Sequence, residues 1–248
     1  MENIIKVLLV ILVLGFVSVC LIKRFVYFKP SSNFVNTQEA YKVVTQGHLY
    51  GWLLENPNSD KIILFLKGNS GNVSHCESKV RSLRDLGYNV MVFDYSGYGK
   101  SSGVPSEQQL YKDTSYIVSL LRQQYTQDKI ILYGFSMGGS VATYVALRYS
   151  IPVLILEAPL PGIKQLIKHR YPYLSFLSIF FPEFDTANYL SKYKGRSLIL
   201  HSPTDEIIPF ESVQELIPMC TKFIQIDGSH NFPIIDWQEV KNFIDNGA

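Results

Sequence analysis

The sequence predicts an α/β chain built on a mostly parallel central sheet with helices on both faces. Three observations carry this. Short, fully apolar runs of strand length recur along the chain; each is followed by a stretch with helical spacing; and Gly, Pro, Asn and Asp cluster at the joins. With 248 residues, 47% hydrophobic and 18% charged, the chain can bury a sizeable core and is far from a disordered or collagen-like composition.

From the start of the chain, Ile4 to Ile22 is nearly all Ile, Leu, Val and Phe, interrupted by Lys6, Gly15, Ser18 and Cys20. At 1.5 Å per residue such a helix covers roughly 28 Å, close to a bilayer core. Residues 1–28 therefore read as an N-terminal membrane anchor. A cleaved signal peptide or lipoprotein signal fits less well: the apolar run passes straight into Lys23 and Arg24, and Val19 is a poor residue before Cys20. Positive charge after the span (Lys23, Arg24, Lys29) exceeds that before it (Lys6, offset by Glu2), which places the bulk of the chain in the cytoplasm.

Residues 25–47 read as a connector and opening strands, and Gln46 to Leu54 alternates as a hairpin strand does. After Pro57-Asn58-Ser59-Asp60, the run Lys61 to Lys67 has the apolar centre of a strand buried on both faces. Helical spacing from Val73 to Gly87 leads to a strand at Tyr88 to Asp94. A second helix, reaching Tyr125, leads to Lys129 to Gly134, and a third, reaching Tyr149, leads to Val153 to Glu157. Later strands are read at Ser197 to His201 and Lys222 to Asp227, with helices at Phe210 to Ile217 and Trp237 to Ile244. No repeat or low-complexity tract interrupts this order.

The charge balance excludes one class of partner. Lys plus Arg number 23 and Asp plus Glu 21, but beyond residue 30 the balance is 19 to 20, so no basic patch argues for nucleic acid. Cys20, Cys76 and Cys220 show neither a disulfide framework nor metal-ligand spacing and read as buried or lipid-facing thiols.

Chemistry concentrates at the strand-to-helix join Gly134-Phe135-Ser136-Met137-Gly138, a Gly-x-Ser-x-Gly turn too tight for larger side chains, which holds the Ser136 hydroxyl outward. A serine hydroxyl is a weak nucleophile and needs a base, which needs an orienting acid. Asp205, just after the strand ending at His201, and His230, just after the strand ending at Asp227, follow in the order this arrangement uses and fall on the same sheet edge. Glu206 and Glu157 are the rival acids; Glu157 and Asp185 read better as loop or cap residues. Attack on a carbonyl creates an oxyanion that wants N–H donors. Met137, next after the nucleophile, and Asn69, in the loop after Ile62 to Leu66, are the candidates. The Gly-rich stretch Asp94 to Ser101 lacks the register of a phosphate-binding loop and reads as a tight turn beside the site.

Five segments together resemble the alpha/beta-hydrolase superfamily, and within it the membrane-anchored, serine-peptidase-like branch of alpha/beta-hydrolase domain-containing proteins. They are Gly68-Asn69-Ser70-Gly71-Asn72, Phe93 to Ser101, the elbow at Ser136, Ser202 to Pro209, and Gly228-Ser229-His230-Asn231. The resemblance runs from about residue 35 to the C-terminus. It implies an alpha/beta-hydrolase domain over residues 29–248, with a cap insertion at about 159–194. It also implies hydrolysis of esters or thioesters of small, acylated or lipid substrates, without metal or organic cofactor. A serine aminopeptidase or amidase is the alternative within the class, and a non-catalytic membrane-tethered scaffold the alternative outside it. One departure stands out: the family loop usually begins His-Gly, and here Lys67 precedes Gly68, which should retune the loop more than abolish activity and leaves the second donor open. In the cap region, Tyr171 to Pro182 is unusually aromatic and reads as plain cap packing, an acyl pocket or a bilayer contact.

Overall fold

The computed structural model describes residues 28–35, 42–170 and 181–246, together with Lys6, Pro172, Tyr173, Phe176 and Ser178. The proposed anchor, apart from Lys6 and Phe28, lies outside the described residues, as does Cys20. Among the described residues no helix is long and apolar enough to cross a membrane.

Eight strands form one sheet: β1 (Lys42–Gln46), β2 (Leu49–Leu54), β3 (Ile62–Leu66), β4 (Asn89–Phe93), β5 (Ile130–Phe135), β6 (Val153–Glu157), β7 (Arg196–His201) and β8 (Lys222–Gln225). Their spatial order is β8-β7-β6-β5-β3-β4-β2-β1. β1 and β2 pair antiparallel, β2 joins β4 antiparallel, and every other pairing is parallel. Parallel neighbours need long crossovers, supplied by α1 (Glu77–Asp85), α2 (Glu107–Leu121) and α3 (Met137–Tyr149). α4 (Ile163–Arg170) and α5 (Thr186–Lys192) lie between β6 and β7. α6 (Phe210–Val213) precedes β8, and α7 (Trp237–Asn246) closes the described chain.

The alternation of each strand sorts its apolar side chains onto two faces. Leu64, Leu66, Leu132, Leu154 and Ile199 pack with α2 and α3, while Ile63, Phe65, Ile131, Ile155 and Leu198 pack with α1 and α7. Two buried faces explain why β3 to β7 read as continuous apolar runs rather than as alternating ones.

Local chemistry moves three boundaries. The stretch from Val73 opens as a 3₁₀ turn, Val73–Cys76, because the Asn72 side chain accepts from the Ser74 amide and holds that turn tight before α1 starts. The helix at Phe210 is α-helical only to Val213 and continues as 3₁₀ to Met219, where Pro218 disfavours α geometry at the residue before it. The strand from Lys222 ends at Gln225; Asp227–Ser229 turns away to pair antiparallel with Phe232–Ile234 in a small ribbon.

Three contacts tie the incoming chain to this frame. Lys29–Pro30 pairs in parallel with Ser70–Gly71, in the loop after β3. The Asn72 amide donates to the carbonyls of Ser31 and Asn33 at 2.9 and 2.8 Å. Phe28 is buried with its ring edge-on to Phe184 of the β6–β7 insertion, centroids 6.3 Å apart.

Candidate active site

Ser136 sits between β5 and α3 with φ 54° and ψ −121°, a conformation that a non-glycine residue adopts only under constraint, at a cost of about 1–3 kcal/mol. Backbone hydrogen bonds hold it there. The Ser136 amide donates to Glu157 O at 2.9 Å, and its carbonyl accepts from the amides of Gly139 at 2.9 Å and Leu160 at 3.3 Å. The flanking glycines let strand and helix cross: a Cβ at Gly138 would overlap the carbonyl of Leu66, and one at Gly134 the backbone of Gly138 and Gly139.

The structure brings together three of the residues singled out in the sequence. Ser136 Oγ lies 3.1 Å from His230 Nε2, and His230 Nδ1 lies 2.7 Å from Asp205 Oδ2. All three are largely buried, and the Phe135 ring lies 5.1 Å from the imidazole centroid. The other oxygen of Asp205 accepts from the amides of Ile207 and Ile208 at 2.9 and 2.7 Å. Burial raises the Asp205 pKa, but the hydrogen bonds from His230, Ile208 and Ile207 outweigh it and hold the carboxyl below its ordinary value, so it is ionised at neutral pH. A charged carboxylate on Nδ1 keeps the proton there and leaves Nε2 free to accept one from Ser136.

The rival acids are engaged elsewhere. Glu206 accepts from the backbone amide of His230 at 3.1 Å, not from its ring. Glu157, fully buried at the end of β6, pairs with Lys79 and accepts from the Tyr133 hydroxyl at 2.7 Å. Asp185 caps α5, accepting from the Asn188 amide at 3.1 Å.

The loop after β3 runs directly beside the serine, since a Cβ added to Gly68 would come within 3.4 Å of Ser136 Cβ and 3.1 Å of the Phe135 ring. Met137 opens α3 and is buried. Asn69 is fixed through its carbonyl, which accepts from the Tyr98 hydroxyl at 2.8 Å and the Lys29 amide at 3.3 Å; the Tyr98 hydroxyl also lies 3.2 Å from Asn69 Oδ1.

Lys67 is 1% exposed and turns inward. Its Nζ lies 3.7 Å from the centroid of the Tyr98 ring and 5.2 Å from that of Tyr95, and it donates to Gly71 O at 3.5 Å. Burial pushes the ammonium down to about 8, against the opposing influence of Cys76 and Asp94. Asp94, also fully buried, is pushed up to about 6 by burial despite Lys67 and the amides of Val73 and Lys100. The aromatic cradle for Lys67 was not visible in the sequence, because Tyr95 and Tyr98 are about thirty residues away; the Gly-rich turn carrying them was the available signal. His201 was also missed. Burial keeps this imidazole neutral, with its Nε2 3.1 Å from Ile208 O and its ring stacked on Phe210, and it backs the loop that carries Asp205. Cys76 and Cys220 are half-buried free thiols.

Among the described residues no group of His, Cys, Asp and Glu is arranged to hold a metal ion. The arrangement can activate the Ser136 hydroxyl by proton transfer to His230, whose ring Asp205 orients, beside the loop after β3 and the start of α3.

The profile of the family described as "Serine aminopeptidase, S33" (Hydrolase_4) matches residues 57–197, which include Ser136 and end before Asp205 and His230. The "uncharacterized membrane protein YNL320W" of Saccharomyces cerevisiae is 29% identical over 83% of this chain and 79% of its own. The alpha/beta hydrolase domain-containing protein 17C of Xenopus tropicalis is 31% identical over 71% of this chain and 58% of its own. The lysophosphatidylserine lipase ABHD12 of Danio rerio is 29% identical over 69% of this chain and 50% of its own. The chain thus spans about half the length of the last two relatives, 58% and 50%. Among solved structures, the esterase Pf2001 of Pyrococcus furiosus superposes with a TM-score of 0.70 at 22% identity, covering 89% of this chain and 98% of that one. Est1E of Butyrivibrio proteoclasticus, with ferulic acid bound, superposes at 0.65 and 16% identity over 83% and 97%. At these identities the solved structures establish the fold alone.

Proposed function

The chain belongs to the alpha/beta-hydrolase superfamily, in the Hydrolase_4 family, and from that premise we propose that it is a membrane-anchored serine hydrolase cleaving carboxylic ester or thioester bonds of acyl or lipid-type substrates. The observation that carries the reading is the unbroken hydrogen-bonded run Ser136 Oγ, His230 Nε2, His230 Nδ1, Asp205 Oδ2.

In this reading His230 removes the Ser136 proton as Oγ attacks the carbonyl carbon. Asp205 holds the imidazole in the accepting tautomer and stabilises the imidazolium that forms. The carbonyl electron pair moves to oxygen, where the amides of Met137 and Asn69 receive it; preorganised donors of this kind are worth about 3–4 kcal/mol each. Collapse expels the alcohol or thiol, which takes the proton from His230, and leaves Ser136 acylated. Water, deprotonated by His230, then attacks the acyl-enzyme and returns Ser136.

The acyl or lipid preference rests on the apolar run Ile4 to Ile22 and the aromatic cap segment Tyr171 to Pro182, which suit an amphiphilic substrate drawn from a bilayer. In this reading residues 1–28 form the anchor, residues 29–248 the hydrolase domain with a cap at about 159–194, and the domain lies on the cytoplasmic side. A second reading, aminopeptidase or amidase, is favoured by the description of the matching family. Two measurements separate the possibilities. Ser136→Ala should abolish turnover and fluorophosphonate labelling while leaving the fold intact, and labelling kept at the wild-type level would end the assignment. Wild-type protein should hydrolyse p-nitrophenyl acyl esters faster than aminoacyl-anilides; the reverse order would favour the peptidase. A folded wild-type chain that takes no label would favour a non-catalytic scaffold.

A further inference from the structure

The C-terminal edge of the sheet carries the candidate site, and it also carries the points at which the chain approaches from the apolar segment. Phe28 is wedged against Phe184, and Lys29–Pro30 runs along Ser70–Gly71. The domain therefore hangs from its active-site edge. Six residue steps separate Ile22 from Phe28, and fully extended chain covers at most about 3.6 Å per step, so the tether reaches roughly 20 Å. A domain of about 220 residues has a radius of gyration near 17 Å and is roughly 40 Å across. A tether of that length cannot bring the opposite edge of the sheet to the bilayer.

The far side of the same edge has an apolar surface of its own. On the ribbon after β8, Phe232 and Ile234 alternate outward and are 81% and 70% exposed, although Ser229, paired with Phe232, directly precedes His230. Ile207, two residues after Asp205, is also exposed. The ribbon is braced to the Asp205 loop by Ser202 and Thr204, whose hydroxyls donate to Gly228 O at 2.6 and 3.0 Å. β5, which leads into Ser136, stands between β3 and β8 in the strand order; Ser136 Oγ lies 3.1 Å from Nε2 of His230, which directly follows Ser229 of the ribbon, and Gly68, beside the serine on the other side, is two residues before Ser70, the partner of Lys29.

We propose that this edge is the membrane-docking face of the domain: the incoming segment holds it on one side of Ser136, and Phe232 and Ile234 insert into the bilayer interface on the other. The inference rests on the anchored-hydrolase reading and specifies which surface meets the lipid. The occupant is a bilayer rather than a protein groove because the short tether already brings one there, and because Lys23, Arg24 and Lys29 at the junction complement anionic headgroups. A site in this position draws its substrate from the leaflet instead of from bulk water.

The test uses the full chain in vesicles of phosphatidylcholine and phosphatidylserine brominated in their acyl chains. Phe232→Trp reports on the ribbon, and Asn58→Trp, in the exposed turn at the opposite sheet edge, is the control. Trp52 and Trp237 give a background measured in the unsubstituted protein. The added emission of Phe232→Trp should be lost to bromine quenching and that of Asn58→Trp retained. In the double variant Phe232→Ser/Ile234→Ser, turnover of a vesicle-embedded acyl ester should fall roughly tenfold, the equivalent of about 1.4 kcal/mol of interfacial contact, while a short water-soluble ester is cleaved at the wild-type rate. Equal quenching at both positions, no quenching at Phe232→Trp, protein that fails to float with the vesicles, or shielding of position 232 by self-association in detergent would each overturn the docking face. Selective quenching with neither ester cleaved would uphold the docking face and overturn the hydrolase reading.

Discussion

Replacing Asp205 by Asn tests the proton path with almost no change in shape. One carboxylate oxygen of Asp205 is held by two backbone donors, the amides of Ile207 and Ile208 at 2.9 and 2.7 Å. An asparagine there will keep its carbonyl oxygen on those amides, because turning the side chain over would set NH₂ against two N–H groups. Its NH₂ must then face His230 Nδ1, where Asp205 Oδ2 now lies at 2.7 Å. Nδ1 becomes an acceptor, the single imidazole proton moves to Nε2, and Nε2 can no longer take the Ser136 proton across 3.1 Å. A wrong tautomer of this kind lowers kcat about 10⁴-fold, or about 5.4 kcal/mol of barrier. The assay is steady-state hydrolysis of a short p-nitrophenyl ester together with the rate of fluorophosphonate labelling, with thermal melting as the check on folding. Both rates should fall together while KM stays within a few-fold. Activity within tenfold of wild type in Asp205→Asn, with a collapse in Glu157→Gln instead, would refute the assignment of the acid.

Two further outcomes follow from the buried groups behind the loop. Lys67→Met keeps the volume but removes the charge from the Tyr98 face, and Tyr98→Phe removes the donor to Asn69 O. Each should lower kcat by about 10- to 100-fold with little change in KM, as expected for a misplaced contact made only in the transition state, and Lys67→His should recover much of the loss; a rise in KM alone would show that the loop serves binding. Asp94 gives a pH signature in stability. Its folded pKa, raised to about 6, exceeds an unfolded value near 3.9, so the folded state holds the extra proton between them and stability falls as pH rises through that window, by on the order of 3 kcal/mol. Asp94→Asn should flatten the melting temperature between about pH 4 and 6, and an unchanged slope would place the effect on another group.

The order of strands and helices was legible because a parallel sheet buried on both faces writes itself as consecutive apolar runs such as Ile62 to Leu66 and Val153 to Glu157, separated by helical spacing. The elbow was legible because strand, Gly-x-Ser-x-Gly turn and helix follow each other within about twenty residues. Pairings between distant segments were not. Nothing near Lys29 announces that it will lie along Ser70, and nothing near Glu157 names Lys79 as its partner. The ribbon after β8 was hidden for a different reason. Lys222 to Asp227 reads as one strand, but Gly228, with φ 94°, bends the chain so that Asp227–Ser229 pairs with Phe232–Ile234 instead of prolonging the sheet.

The pairing of Lys29–Pro30 with Ser70–Gly71 also bears on where the chain can be cut to remove the apolar run Ile4 to Ile22. A boundary drawn by sequence resemblance, near residue 35, would discard the Lys29 amide that donates to Asn69 O, the two carbonyls to which the Asn72 side chain donates, and the aromatic plug against Phe184. Trimming after Ile22 but ahead of Phe28 removes that run and spares every one of these stitches.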